Sequence, residues 1–249
     1  RRSTYEHYKS LGVRGFMSSD PSWVCGWKKQ ATINVESGRR EHGMLPSSIT
    51  NAQDYPDFTR GAIVHQQNYD ESLLLGPLAA ATDREQYTLE FAMHWDKKLP
   101  TTTWNYGYMA FGRSHDGPLG IAGKFRGASE DGCYVLALRP GAKVRDEHGK
   151  YRTGDLAQLI RLDGGPGASR EGKVLHTMNL KKPIKPNESI EGKIVVKGKY
   201  FYFVINGQYS AQIHDSAYRG PYVHFGRYHG NATGGPLVLT RALARESWA

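Results

Sequence analysis

KIVVKGKYFYFVINGQY, Lys193 to Tyr209, decides the fold. Ile194-Val195-Val196 and Tyr200-Phe201-Tyr202-Phe203-Val204-Ile205 are β-branched and aromatic runs. Such side chains suit a pleated, half-buried surface. Lys197-Gly198-Lys199 between them reads as a hairpin turn. Asn206-Gly207 follows, the strongest short hairpin signal, because both positions accept positive φ. Gln208 to Ile213 is expected to return along the second strand.

The same grammar extends outward. From Tyr87 to Trp95 the chain alternates, with Tyr87, Leu89, Phe91, Met93 and Trp95 on one side and Thr88, Glu90, Ala92 and His94 on the other. That period of two marks a strand with one buried face. Further strands are expected at Gly61–His65, Tyr106–Gly112, Cys133–Leu138 (closed by Arg139-Pro140-Gly141), Gln158–Leu162 (followed by the loop Gly164-Gly165-Pro166-Gly167), Tyr222–Tyr228 and Leu237–Leu243. The first fifty residues are irregular; Tyr5 to Leu11 suits a helical turn or two, and Ser47-Ser48 and Asn51 mark loops. There is no repeat, heptad or linker long enough to divide the chain. Many strands and almost no helix predict an all-β, two-sheet jelly roll. It forms one domain over 1–249, with 1–60 an irregular segment packed on it.

Composition narrows the function. Lys plus Arg is 33 and Asp plus Glu is 24, giving a net charge of +9, and 39% of the 249 residues are hydrophobic. The apolar content excludes a disordered chain, and no apolar run approaches a transmembrane helix. A positive surplus suits nucleic acid, an anionic membrane surface or an acidic polysaccharide. The basic residues are scattered (Arg39-Arg40, Lys97-Lys98, Lys181-Lys182), with no basic helix, which argues against nucleic acid. Cys25 and Cys133 allow one disulfide or two thiols. Two sequons, at Asn187 and Asn231, lie in turn-rich surroundings and favour a secreted mature form.

Phosphate and dinucleotide loops, HExxH and GxSxG are all missing from the sequence. The ten His lack metal spacing. Glu188 with Glu191, and Glu130-Asp131, sit in turn-like settings, so a two-carboxylate hydrolase has no strand pattern behind it. The polar residues that do lie on strands are His, Arg, Gln and Tyr. Tyr106, Tyr108, Ala110 and Gly112 share one face by alternation, and Arg113 and His115 share a face at the strand end. Tyr222, His224, Gly226 and Tyr228 fall together, the glycines leaving room for a ligand.

Tyr222-Val223-His224-Phe225-Gly226-Arg227-Tyr228, following the Asn206-Gly207 hairpin, resembles the C-terminal strand of jelly-roll polysaccharide lyases. Met109 to Gly117 resembles the mid-chain strand of heparin and alginate lyases that ends in a Gln-x-His-Gly step. The likeness spans roughly residues 87 to 240. There are departures. The Gln of that step is missing, with Gly112 or Arg113 near its place. His224 stands where the family often has Lys. Ile63 to Asn68 occupies the point of an Arg-rich strand motif that is not visible. Gln212-Ile213-His214 spells the alginate-lyase triplet in the wrong place and reads as chance.

The resemblance implies a lyase that cleaves a uronate-containing polysaccharide by β-elimination, as a secreted monomer without metal or cofactor, nucleic-acid or membrane partner. Such an enzyme neutralises the uronate carboxylate, removes the C5 proton and protonates the leaving oxygen. Arg113, Gln66 or Asn68 fits the first role, His115 or Tyr228 the second, and Tyr228 the third. The implied catalytic set is Tyr228, His115 and Arg113; the binding set is His65, Gln66, Asn68, Tyr108, Lys124 and His224. Tyr228 is expected within reach of His115. The alternatives are a lectin-like binding module, with Trp104, Tyr106 and Tyr108 stacking on sugars, and a glycoside hydrolase of the same fold.

Overall fold

The structure, a computed structural model, describes residues 63–65, 72–78, 84–101, 105–114, 132–164, 172–228 and 234–246. Those residues form strands and turns with no helix. The strands are β1 (Ile63–His65), β2 (Ser72–Pro77), β3 (Gln86–Trp95), β4 (Tyr106–Gly112), β5 (Cys133–Arg145), β6 (Tyr151–Leu162), β7 (Lys173–Asn179), β8 (Ile190–Lys197), β9 (Tyr200–Ile205), β10 (Gln208–Tyr209), β11 (Ile213–His214), β12 (Gly220–Tyr228) and β13 (Leu237–Glu246). One sheet runs β1-β13-β3-β8-β9-β10, with β11 also on β9; the other runs β2-β12-β4-β5-β6-β7. Every ladder is antiparallel. The fold is the all-β jelly roll that the sequence predicts.

The alternation in β3 is realised. Tyr87, Leu89, Phe91, Met93 and Trp95 are buried between the sheets. Met109, Phe111, Tyr134, Leu136, Val223 and Phe225 meet them from the six-stranded sheet. Burying one such aromatic stabilises the fold by about 2–3 kcal/mol. The opposite side of β3 carries charge: Glu90 pairs with Lys193 at 3.3 Å. Arg241 reaches Glu191 across Ala92, whose short side chain leaves the path open.

The central hairpin also forms as read. Ile194 pairs with Phe203 and Lys197 with Tyr200. Gly198 takes φ +56° in that turn, and Asn206 and Gly207 take +48° and +78° in the next. Positive φ at both central positions is the primed turn that matches strand twist. The returning strand is split, because only Gln208–Tyr209 and Ile213–His214 pair with β9.

Three local expectations change. β2 and β7 were not legible in the sequence. β5 does not close at Arg139-Pro140-Gly141 but runs on to Arg145, with a register shift between Arg139 and Ala142. Pro140 and Gly141 sit in that bulge, where a missing donor and a φ of +55° are tolerated. β6 correspondingly begins at Tyr151 rather than Gln158. The irregular reading of 1–60, the helical turn at Tyr5–Leu11 and Cys25 fall outside the described residues.

The extended β5–β6 arm turns back on its own sheet. Arg145 pairs with Tyr151, and an extended ladder would hold Tyr151 about 23 Å from Gln158. Yet Gln158 Nε2 donates to the Arg145 carbonyl at 2.9 Å. Gln158 stands on the sheet face turned away from the other sheet, so the arm lies over that face.

Candidate functional site

The face of the six-stranded sheet turned away from the core holds a second cluster. It contains Tyr106, Tyr108, Ala110, Cys133, Val135, Ala137, Ile160 and Leu162, with Tyr228 packed against them. The register arranges this face in rows across the strands. His224 pairs with Ala110 and Gly226 with Tyr108. Ala110 and Tyr108 then pair with Val135 and Ala137, and these with Ile160 and Gln158. Gln158 is partnered in turn by Thr177, whose Oγ1 accepts from its Nε2 at 3.2 Å.

The end row is aromatic and cationic. Tyr228 pairs with Tyr106, and their rings stack with centroids 5.0 Å apart and planes within 6°. From the strand on the other side, the Arg139 guanidinium lies 4.0 Å from the Tyr106 ring centre. A cation at that distance is attracted by the ring quadrupole. Tyr106 and Arg139 are almost covered, whereas Tyr228 is only partly buried. Arg139 escaped sequence reading because Arg-Pro-Gly looks like a turn. The signal that finds it is β5 continuing through its bulge.

The glycine space is used by the protein itself. A Cβ on Gly226 would stand 2.3 Å from the Tyr108 ring and hydroxyl, so the Tyr108 side chain lies across Gly226. The room expected there for a ligand is filled. Tyr108 and His224 both stand on this face, each 0% exposed.

The register separates residues that the sequence reading grouped. Arg113 bridges to Tyr222, at the far end of β12 from Tyr228. Six residue steps of extended strand span about 20 Å. The register therefore sets the backbones of Arg113 and Tyr228 at opposite ends of the ladder. Arg113 is not a strand end in solvent: it is 2% exposed. His115, Gln66, Asn68, Lys124 and Trp104 lie outside the described residues, and His65 is placed by its backbone, paired with Leu237. The expected approach of Tyr228 to His115 therefore lies outside the described residues.

The remaining candidates sort clearly. His214 of the chance triplet is on β11 in the other sheet, 5.9 Å from the Tyr200 ring. Glu188 is bound to Lys182 at 2.8 Å, which holds its carboxyl below the usual range, and Glu191 is bound to Arg241. Among the described residues no carboxylate stands on the rows containing Tyr228, Tyr108 and His224. A paired-acid hydrolase therefore has no support on this face.

A polar cluster outside those rows was missed altogether. Tyr134 O–H donates to Asp215, and Arg161 Nη1 reaches the other Asp215 oxygen at 2.8 Å. Arg161 also pairs with Asp163 at 3.0 Å, and Tyr218 O–H donates to Asp163 at 2.8 Å. Burial pushes the Asp215 carboxyl up, but Tyr134, the Ala217 amide and Arg161 outweigh it and hold the group below the usual carboxylate range. Burial, and then the bond to Asp215, push Tyr134 up to about 12. Each charge here has its partner, so the cluster ties the 215–219 segment to β5 and β6. Five residues from three stretches of the chain make it, and no local spacing announces them.

No family profile matches the sequence, and no curated protein matches it. Solved structures do resemble it. The carbohydrate recognition domain of Emp46p, in its metal-free form, superposes with a TM-score of 0.58 at 12% identity, over 81% of this chain and 94% of that one. Alginate lyase A1-II′, a member of polysaccharide lyase family-7, gives 0.41 at 14% identity, over 81% and 86%. A carbohydrate-binding module, CBM66 from Bacillus subtilis, gives 0.42 at 14% identity, over 75% and 82%. At these identities the likeness is one of fold. The fold is similar to that of the Emp46p carbohydrate recognition domain.

Proposed function

We propose that the protein binds a uronate-containing polysaccharide at the outer face of its six-stranded sheet and cleaves it by β-elimination. The observation that carries this reading is the row Tyr228–Tyr106–Arg139: a partly exposed phenol stacked on a ring that a guanidinium holds from the other side. Elimination needs a group to move a proton and a cation near the carboxylate to stabilise the developing charge. Tyr228 supplies the first and Arg139 takes the second role in place of Arg113. His224, two rows away and fully buried, acts as a positioning residue. The net charge of +9 draws a polyanion toward the surface. The exposed turn at Asn187 suits a secreted monomer carrying a glycan.

The lectin-like reading has its own support, in the complete burial of Tyr108 and His224 and in the likeness to a carbohydrate recognition domain. A panel of alginate, heparin, hyaluronan and neutral dextran separates the two. The lyase yields soluble products with the ultraviolet absorbance of a 4,5-unsaturated uronate from an acidic member alone. Retention of an acidic polymer with no such absorbance establishes the binding module instead. Tyr228→Phe removes one hydroxyl and is expected to lower turnover about 10²–10⁴-fold with folding intact. Full turnover in that variant removes Tyr228 from the mechanism.

A further inference from the structure

The tip of the β5–β6 arm carries a feature that the outer-face site does not use. Tyr151 is 61% exposed, although it is a large aromatic. Its register partner Arg145 places its guanidinium 4.8 Å from the Tyr151 ring centre. Lys143, two residues earlier on the same strand and so on the same side, brings Nζ to 5.4 Å. Both cations are exposed. Among the described residues neither pairs with a carboxylate.

The acids of the same turn are engaged elsewhere. Asp146 accepts from the amides of His148 at 3.0 Å and Lys150 at 2.9 Å, and from Arg152 Nε at 2.9 Å. Glu147 pairs with His176 at 3.3 Å. Neither acid of this turn is bonded to Lys143 or Arg145. Arg145 is held further by Nη1 donating to the Gly149 carbonyl at 3.2 Å. Its own carbonyl is fixed by Gln158, which ties the arm to the outer face.

We propose that Tyr151, Lys143 and Arg145 form a second carbohydrate subsite that takes an acidic sugar unit of a polymer. The exposed ring stacks on the apolar face of the sugar, and the two cations meet its carboxylate or sulfate. The inference rests on the acidic-polysaccharide reading above. It adds a place where a long chain is gripped away from Tyr228, on an arm anchored beside the same face. An isolated exposed Tyr needs no explanation. Two acid-free cations held on its ring argue for an anionic partner, and a sugar is favoured over nucleic acid by the scattered distribution of the remaining basic residues.

Calorimetric titration of the whole chain with high-molecular-weight alginate, with dextran and an oligothymidylate as comparisons, tests this. Tyr151→Ala is expected to weaken alginate binding roughly fivefold or more, and Tyr151→Phe to bind like the parent. Replacing Lys143 and Arg145 together by Gln weakens binding most at low salt and flattens its salt dependence. Unchanged circular dichroism shows that these exposed substitutions leave the fold intact. If the parent binds alginate and both Tyr151→Ala and the double variant match it, the subsite is overturned while the outer-face reading stands. If the parent neither binds nor cleaves any acidic polysaccharide, that reading falls and takes the subsite with it. Tighter binding of oligothymidylate than alginate, lost in Tyr151→Ala, overturns the assigned partner class.

Discussion

The two ends of β6 handle charge in opposite ways. At its end, Arg161 is locked between Asp163 and Asp215, and Tyr134 and Tyr218 close the remaining carboxylate oxygens. At its start, Lys143 and Arg145 rest on an exposed Tyr151 while the nearby acids are spent on other partners. The first arrangement satisfies itself and leaves little for a ligand. The second leaves positive charge facing outward on an aromatic surface. A charged group bound by opposite charge serves the fold; one that rests on a ring with no acid bound to it among the described residues is available to something outside it.

Breaking the closed end should cost stability. Asp215→Ala leaves the Tyr134 hydroxyl and part of Arg161 without their acceptor, and a loss of about 2–4 kcal/mol is expected in urea denaturation. A loss below about 0.5 kcal/mol would mean that the network contributes nothing and would erase the contrast. Its pH dependence follows from the depressed Asp215 carboxyl. A depressed carboxyl stabilises the fold fully above its unfolded value, about 3.9, and that contribution is lost as pH falls through the lower folded value. The parent should therefore lose stability on acidification below about pH 4, and Asp215→Asn should lose less over the same window.

Between the two ends lies the tie that bends the arm. Gln158→Leu leaves the Arg145 carbonyl without its side-chain donor, and a loss of about 1–2 kcal/mol is expected from the melting temperature. Hydrogen exchange across 142–154 should rise in that variant, because the arm loses its anchor to the outer face. Unaltered protection would show that the arm is held by something else. The smallest stability effect belongs to the open end. Tyr151→Ala should change stability by no more than about 0.5 kcal/mol, since the ring is exposed and its cations have solvent available. A large loss there would make Tyr151 a structural residue and remove the distinction between the two ends.

What the sequence revealed follows from the range of each signal. The alternation from Tyr87 to Trp95 is local, and it survives as the buried stripe of β3. Asn206-Gly207 is local, and its turn forms as expected. The bulge at Pro140-Gly141 reads locally as a stop, and only pairing with β6 carries the strand through it. That hid both Arg139 and the arm. The site depends on register between strands far apart in sequence. Tyr228 faces Tyr106, while Arg113 faces Tyr222 at the other end of the same ladder. Residue type and alternation place each of these side chains on a strand, but neither says which strand position stands opposite. The Asp215 cluster is the extreme case, because its members come from segments that share no motif.

The most direct test of the account is a crystal structure of the protein with a bound uronate oligosaccharide. The account predicts a sugar on the outer face of the six-stranded sheet, its C5 facing the Tyr228 hydroxyl and its carboxylate turned toward Arg139. A sugar seated against the seven-stranded sheet, or with its carboxylate on Arg113 at the opposite end of β4 from Tyr228, would contradict it.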